Sequence, residues 1–126
     1  MMALFYLSGQ VHQDGQLDAE QLLRGLSVTG KLVGFRYAVY MVEQVTDDPD
    51  GIYLITKRLY PETAHRFGVT VSSVERALRN VVHAVWERTD HGLLEYIAGT
   101  TLHRPPTNSE FIAMIADKLC LQMATA

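Results

Sequence analysis

Two arginines and an asparagine, Arg76, Arg79 and Asn80, recur three and four residues apart in a strongly helical stretch. Residues at this spacing share one face of an α-helix. Arginine can donate two hydrogen bonds to O6 and N7 of guanine, and asparagine can pair with N6 and N7 of adenine. Because the first turns of a recognition helix reach base edges, these three side chains predict contacts to DNA bases.

The start of the same helix carries side chains suited to phosphate. Thr70, Ser72 and Ser73 offer hydroxyl groups beside the free backbone N–H groups of a helix N-terminus. Glu75 follows Ser72 at the spacing of a capping box. Glu75 can therefore close this box or accept a hydrogen bond from cytosine, and we take capping as its minimum role. Lys118, near the end of the chain, is a further predicted phosphate contact.

An apolar seam on the opposite side predicts that this helix runs from about Ser72 to Arg88 and packs on a core. Its members recur at helical spacing: Val74, Ala77, Leu78, Val81, Val82, Val85 and Trp86. The helix is therefore amphipathic, with its polar face available to solvent or to an acidic partner.

A second, shorter helix precedes it and suggests a helix-turn-helix. Pro61 suits the first turn, and Gly68 permits the left-handed conformation that ends this helix at Phe67. The small Ala64 allows close approach, and Val74 fills the angle between the helices. Compact helical hairpins that never bind DNA share this spacing, so the polar face, rather than the turn, favours DNA binding.

Helical periodicity elsewhere predicts an all-α protein, a compact bundle of about six helices. Residues 1–16 show no sustained period and are predicted to be a flexible lead-in, with residues 17–126 forming the domain. Four other helices are predicted. The first begins near Leu17, the second covers about 35–46, and the third covers about 93–98. The last starts after a second capping-box pattern, Thr107-x-x-Glu110. Gly30 and Gly34 are predicted to bracket a break.

Charge is distributed unevenly along the chain. The formal net charge is -3, yet residues 54–88 carry six Lys and Arg against three Glu and are locally positive. The whole-chain value argues against nucleic acid, and the local value argues for it. Cys120 is the single cysteine, so no disulfide can form within this chain, which fits a reducing, cytoplasmic compartment.

Catalytic and membrane functions find little support. His83 and Glu87 stand one helical turn apart, a possible pair of metal ligands, but no third ligand has a recognisable spacing. A solvated helix face is the simpler interpretation, so we predict no enzyme activity and no cofactor. No apolar run approaches the roughly 20 residues of a membrane helix, and no basic leader opens the sequence.

Two long stretches, ITKRLYPETAHRFGVTVSSVERALRNVVHAVWER and PTNSEFIAMIADKL, resemble the C-terminal effector domain of the stage-zero sporulation protein A family, with a weaker match through GFRYAVYMVEQV. The resemblance implies a six-helix domain, located at the bacterial nucleoid, that regulates transcription by binding a short promoter box in double-stranded DNA. It also implies tandem copies on DNA, and hence a possible homodimer, and contact with RNA polymerase sigma factor. The implied base-reading residues are Glu75, Arg76, Arg79 and Asn80.

Four departures from the family pattern leave a second interpretation open. The family typically has Arg at Ser73, His at Asn80, Lys at Pro105 and Arg at Cys120, so each change removes a possible cation. Because counterion release makes phosphate contacts a large share of the affinity for DNA, the loss of a few such contacts weakens binding by orders of magnitude at moderate salt. The usual receiver domain is also absent, so the chain is either an excised effector domain or a stand-alone paralogue. The alternative function is a protein-interaction module with weak DNA affinity.

Overall fold

The computed structural model describes residues 18–26, 32–87 and 91–125, and these residues confirm the all-α prediction, with no strand among them. The α-helices of this part of the chain are α1 (Ala19–Gly25), α2 (Gly34–Asp47), α3 (Tyr60–Phe67), α4 (Val71–Trp86), α5 (Gly92–Ala98) and α6 (Asn108–Thr125). A 3₁₀ helix, Pro49–Leu54, and a π-helical turn, Ile55–Leu59, connect α2 to α3. The predicted lead-in, residues 1–16, and Arg88 lie outside the described residues.

Polar caps determine where α1 and α6 begin. Asp18 and Gln21 cap each other's backbone N–H groups at 2.8 and 3.0 Å. Thr107 and Glu110 form the predicted capping box, with distances of 3.1 and 2.9 Å. Arg104 donates to both carboxylate oxygens of Glu110, at 2.9 and 3.0 Å. This pairing, together with the Thr107 N–H, lowers the pKa of Glu110 to about 2.

Helix α2 lies at the centre of the bundle, and its most extensive contacts are with α6 and α4. The apolar side chains that are completely shielded from solvent lie mainly on α1, α2, α4 and α6, and they include Leu22, Leu23, Met41, Val42, Val74, Leu78, Val81, Phe111, Ile112 and Ile115. Of these, Val74, Leu78 and Val81 belong to the seam on α4 that the apolar periodicity predicted. Burial of this seam fixes α4 to the bundle along its whole length.

Gly34, one of the two glycines predicted to bracket a break, is the first residue of α2, and the other, Gly30, lies outside the described residues. A Cβ atom at Gly34 would lie 2.5 Å from the carbonyl oxygen of Ala77 and 2.7 Å from Cγ2 of Val81, both on α4. Only glycine permits this distance between the two helices. Close approach, rather than a turn, is the physical reason for the glycine.

Helix α3 continues a π-helical turn, and a proline marks the junction. The N–H of Tyr60 donates to the carbonyl of Ile55, five residues back. Pro61 follows in the first turn of α3, as predicted. A proline ring crowds the carbonyl four residues before it and has no N–H to donate, so a wider turn at this point relieves the clash.

Candidate nucleic-acid interface

A left-handed glycine turn joins α3 to α4, as the sequence predicted. Gly68 has φ 67°. Its N–H donates to the carbonyl of His65, and the N–H of Val69 donates to the carbonyl of Ala64, the pair of bonds that defines a Schellman ending. Ala64 and Val74 are buried at the angle between the helices. These two helices therefore have the packing of a helix-turn-helix.

An aromatic cluster supports the turn from the side of α2. The ring of Phe67, the last residue of α3, lies 5.0 Å from that of Tyr37 and 5.9 Å from that of Tyr40. The guanidinium groups of Arg36 and Arg66 lie 5.6 and 5.8 Å from the Phe67 ring centroid. Aromatic pairs of this kind add stabilisation beyond the area they bury, so the end of α3 is held firmly against α2.

Helix α4 begins at Val71 with Thr70 as its N-cap, so the prediction of a start at Ser72 is wrong by one residue. Thr70 is extended, and its Oγ1 accepts the Ser73 N–H at 3.1 Å. The capping box predicted between Ser72 and Glu75 is therefore wrong as well, because Ser72 already lies inside the first turn. Both Thr70 and Ser72 have a residue type that caps helices well, and sequence alone did not separate them.

The three hydroxyl residues proposed for phosphate binding are all exposed at this end of α4. Thr70 donates its own hydroxyl hydrogen to Ser73 Oγ at 2.9 Å, and the hydroxyl hydrogen of Ser73 can still be donated outward. Ser72 lies between them along the chain. The residues predicted as phosphate ligands thus form one polar edge at a helix N-terminus.

Glu75 pairs with Arg79 instead of capping the helix. The carboxylate accepts from the Arg79 guanidinium at 2.9 Å, and the two side chains are 45% and 65% exposed. A pair this open to water contributes roughly 0–1 kcal/mol. Arg79 is therefore oriented along the helix surface without being tied into the fold.

Arg76 and Asn80 complete the exposed face. Both are exposed one helical turn apart, between Ser72 on one side and His83 on the other. The structure thus brings together seven of the eight predicted site residues on α4 and its cap: Thr70, Ser72, Ser73, Glu75, Arg76, Arg79 and Asn80. None of these side chains belongs to the buried core.

Lys118 is the predicted site residue that lies apart from α4. It is on α6, and its ammonium lies 3.9 Å from the ring centroid of Tyr96 on α5. A cation held over an aromatic face can still reach an anion from its open side. Its contribution would be a separate point of attachment rather than part of the α4 surface.

Sequence analysis missed Asn108, which links three helices. Its side-chain amide donates to the carbonyl of Glu75 at 3.1 Å and to the hydroxyl of Tyr60 at 3.2 Å. Burial raises the pKa of Tyr60, and the Asn108 bond opposes that shift. These partners stand 33 and 48 positions away, so no local pattern could have indicated the contact.

A groove of about 550 Å³ runs beside α4 on this side, between the helix and the residues that precede α6. Its walls include Thr56, Tyr60, Arg79, His83, Pro106 and Ser109. The groove is open, and it is continuous with the exposed face of α4 because Arg79 and His83 belong to both. It widens the surface that a large partner could contact.

The described residues contain neither a metal-ligand cluster nor a membrane span. No three His, Cys, Asp or Glu side chains there are grouped as metal ligands would be. No helix in the described part of the chain has the length and apolar character needed to cross a bilayer.

A family model described as sporulation initiation factor Spo0A C terminal matches residues 19–119, from the first residue of α1 to the buried part of α6. The match spans the helix-turn-helix, the exposed face of α4 and the helices that support them. Members of this family are regulatory domains that bind DNA. The chain therefore belongs to the Spo0A C-terminal family of DNA-binding sporulation effector domains.

Proposed function

We propose that this domain recognises a specific promoter sequence by placing α4 in the major groove of double-stranded DNA. The observation that carries the proposal is the exposed row of Arg76, Arg79 and Asn80 along the first turns of a helix whose opposite side is buried. An α-helix fits the major groove, and its N-terminal turns reach base edges.

Each residue of the row has a distinct role in this proposal. Arg76 and Arg79 donate to guanine O6 and N7, and Asn80 pairs with adenine. Glu75 aligns Arg79 in the free domain and can accept from a cytosine amino group on DNA. Each good base contact is worth about 1–3 kcal/mol of discrimination, which exceeds the roughly 0–1 kcal/mol of the surface Glu75–Arg79 pair, so DNA can recruit Arg79.

Phosphate contacts position the helix on the duplex. Thr70, Ser72 and Ser73 would hold one phosphate at the helix N-terminus, and Lys118 would hold another from α6. Because Thr70, Ser72 and Ser73 carry no charge, we expect a weaker dependence on salt than a strongly basic domain shows. Tandem binding as a homodimer and contact with sigma factor remain proposals that rest on the family.

A second candidate is a protein-interaction module with weak DNA affinity. The net charge of -3 and the neutral residues at positions where the family has cations favour it. This candidate predicts retention of a protein partner together with equal, weak binding of all duplexes at physiological salt.

Selection of bound duplexes from a random pool, followed by binding measurements on the selected site, tests the first proposal. Arg79→Ala should weaken the selected site by about 5- to 150-fold and leave a scrambled duplex nearly unchanged, as expected for a lost base contact. Lys118→Gln should instead weaken both duplexes alike.

Arg24→Ala is the matched control, because Arg24 forms the same kind of exposed pair four residues from Glu20, at 3.1 Å, but on α1. It removes one positive charge and one surface pair, and we expect site preference to survive. Equal affinity of the wild-type domain for selected and scrambled duplexes would refute sequence-specific binding.

A further inference from the structure

His83 lies towards the C-terminal end of the exposed face of α4 and has no role in the proposal above. It lies two helical turns after Arg76 and one turn after Arg79 and Asn80, so all four share one face. Its side chain is 70% exposed. A histidine at this position faces whatever the arginine row faces.

Helix geometry indicates which part of a duplex His83 would meet. Seven residues of α-helix rise about 10.5 Å, while the major groove is about 12 Å wide and about 8.5 Å deep. When the first turns of α4 reach base edges, a side chain two turns further along lies near the edge of the groove. Phosphate oxygens, rather than bases, line that edge.

Few charged groups surround the imidazole. On α4, Nε2 of His83 lies 3.3 Å from a carboxylate oxygen of Glu87, and the paired side chains of Glu75 and Arg79 line the same groove. From α3, Tyr60 faces this groove, and from the segment entering α6 the groove is lined by uncharged residues, 105–109. The π-helical turn adds only Ile55 and Thr56. Among the described residues, Glu87 supplies the carboxylate that lies within ion-pair distance of His83.

Because of this arrangement, the neutral and protonated forms of His83 interact differently with a phosphate group. With Nε2 facing the Glu87 carboxylate, the single hydrogen of a neutral ring is favoured on Nε2, which leaves a lone pair on Nδ1. A lone pair repels a phosphate oxygen. The protonated ring carries a hydrogen on both nitrogens and can contact Glu87 and phosphate together.

We propose that His83, in its protonated form, contacts a backbone phosphate at the edge of the major groove and makes DNA affinity fall as pH rises. The inference rests on the proposed function, because it takes the docking of α4 as given. Glu87 would hold the ring in place from the side away from the DNA.

The test measures affinity for the selected duplex at about pH 6 and about pH 8, at constant ionic strength, because histidine changes charge in this range. We expect wild-type affinity to fall by about three- to tenfold, with uptake of up to one proton on binding. In His83→Gln most of this fall should disappear. In His65→Gln, which alters an exposed histidine on α3, the fall should persist.

Salt dependence provides a second readout that altered stability would not produce. The slope of log affinity against log salt should be shallower by about 0.9 at the higher pH in the wild type, because one phosphate contact is lost. His83→Gln should show the shallower slope at both pH values. An unchanged pH dependence in His83→Gln would overturn the inference while leaving sequence-specific binding intact. Failure of the wild type to prefer its selected site at either pH would overturn both.

Discussion

Replacement of Gly34 by alanine tests whether the position of α4 is set by its contact with α2. The new methyl group would lie 2.5 Å from the carbonyl oxygen of Ala77 and 2.8 Å from its carbonyl carbon. Cβ atoms in proteins essentially never come closer than 3.0 Å to such atoms. The two helices would have to separate by about half an ångström, against a packed core that resists expansion.

The expected cost follows from this displacement. Overpacking of a core by one methyl group typically costs about 1–3 kcal/mol. Alanine is the better helix former by up to about 1 kcal/mol, an advantage that is reduced at the first residue of a helix. We therefore expect Gly34→Ala to lower the free energy of unfolding by roughly 1–2 kcal/mol and Tm by roughly 4–10 °C for a domain of this size.

Thermal and urea unfolding followed by circular dichroism would measure the effect. Gly51→Ala is the matched control: Gly51 is also buried, but its added Cβ would meet only the flexible end of Arg58, at 3.4 Å. We expect this control to be nearly neutral. If Gly34→Ala unfolds at the same urea concentration as the wild type, the close contact between α2 and α4 does not constrain the bundle.

Four further substitutions test local features of the site and its support. Thr70→Ala should destabilise the domain by about 1 kcal/mol in urea unfolding, and Ser72→Ala by less than about 0.5 kcal/mol, because Thr70 is the cap; the reverse order would contradict the assigned helix start. Glu110→Gln should cost about 1 kcal/mol at neutral pH. The folded-state pKa of Glu110 is lowered from 4.5 to about 2, so its stabilisation is complete above about pH 4.5 and is lost as pH falls towards 2. The difference between wild type and Glu110→Gln in pH-dependent unfolding should therefore vanish at the acid end, and a constant difference would be inconsistent with this origin. Asn108→Ala should cost about 1–2 kcal/mol in urea unfolding, since it removes both bonds that tie α6 to α3 and α4; an unchanged unfolding midpoint would show that these bonds contribute nothing.

Local patterns were sufficient to predict much of this fold. The heptad-like spacing of apolar residues predicted which side of α4 faces the core. Gly68, a residue type that permits a left-handed backbone conformation, predicted the end of α3. Thr107 and Glu110 predicted the start of α6. These signals work because a cap, a turn or an amphipathic face involves residues only three or four positions apart.

Such local patterns could not predict contacts between distant parts of the chain. Gly34 suggested a turn, because the sequence does not distinguish a glycine in a turn from a glycine at a close contact between helices. Asn108 carried no signal at all, since its partners lie on other helices. The start of α4 was misplaced because Thr70 and Ser72 are both good caps, and only the backbone conformation distinguishes them.

Base recognition by α4 is the central claim, and a protein–DNA double-mutant cycle tests it most directly. Each guanine of the selected site is replaced in turn by an analogue with carbon in place of N7, and binding is measured for wild type, Arg76→Ala and Arg79→Ala. We predict that at one guanine the two changes are coupled by about 1–2 kcal/mol, because both remove the same charge-assisted hydrogen bond. Strictly additive losses at every guanine, for Arg76→Ala and for Arg79→Ala, would contradict the placement of α4 in the major groove.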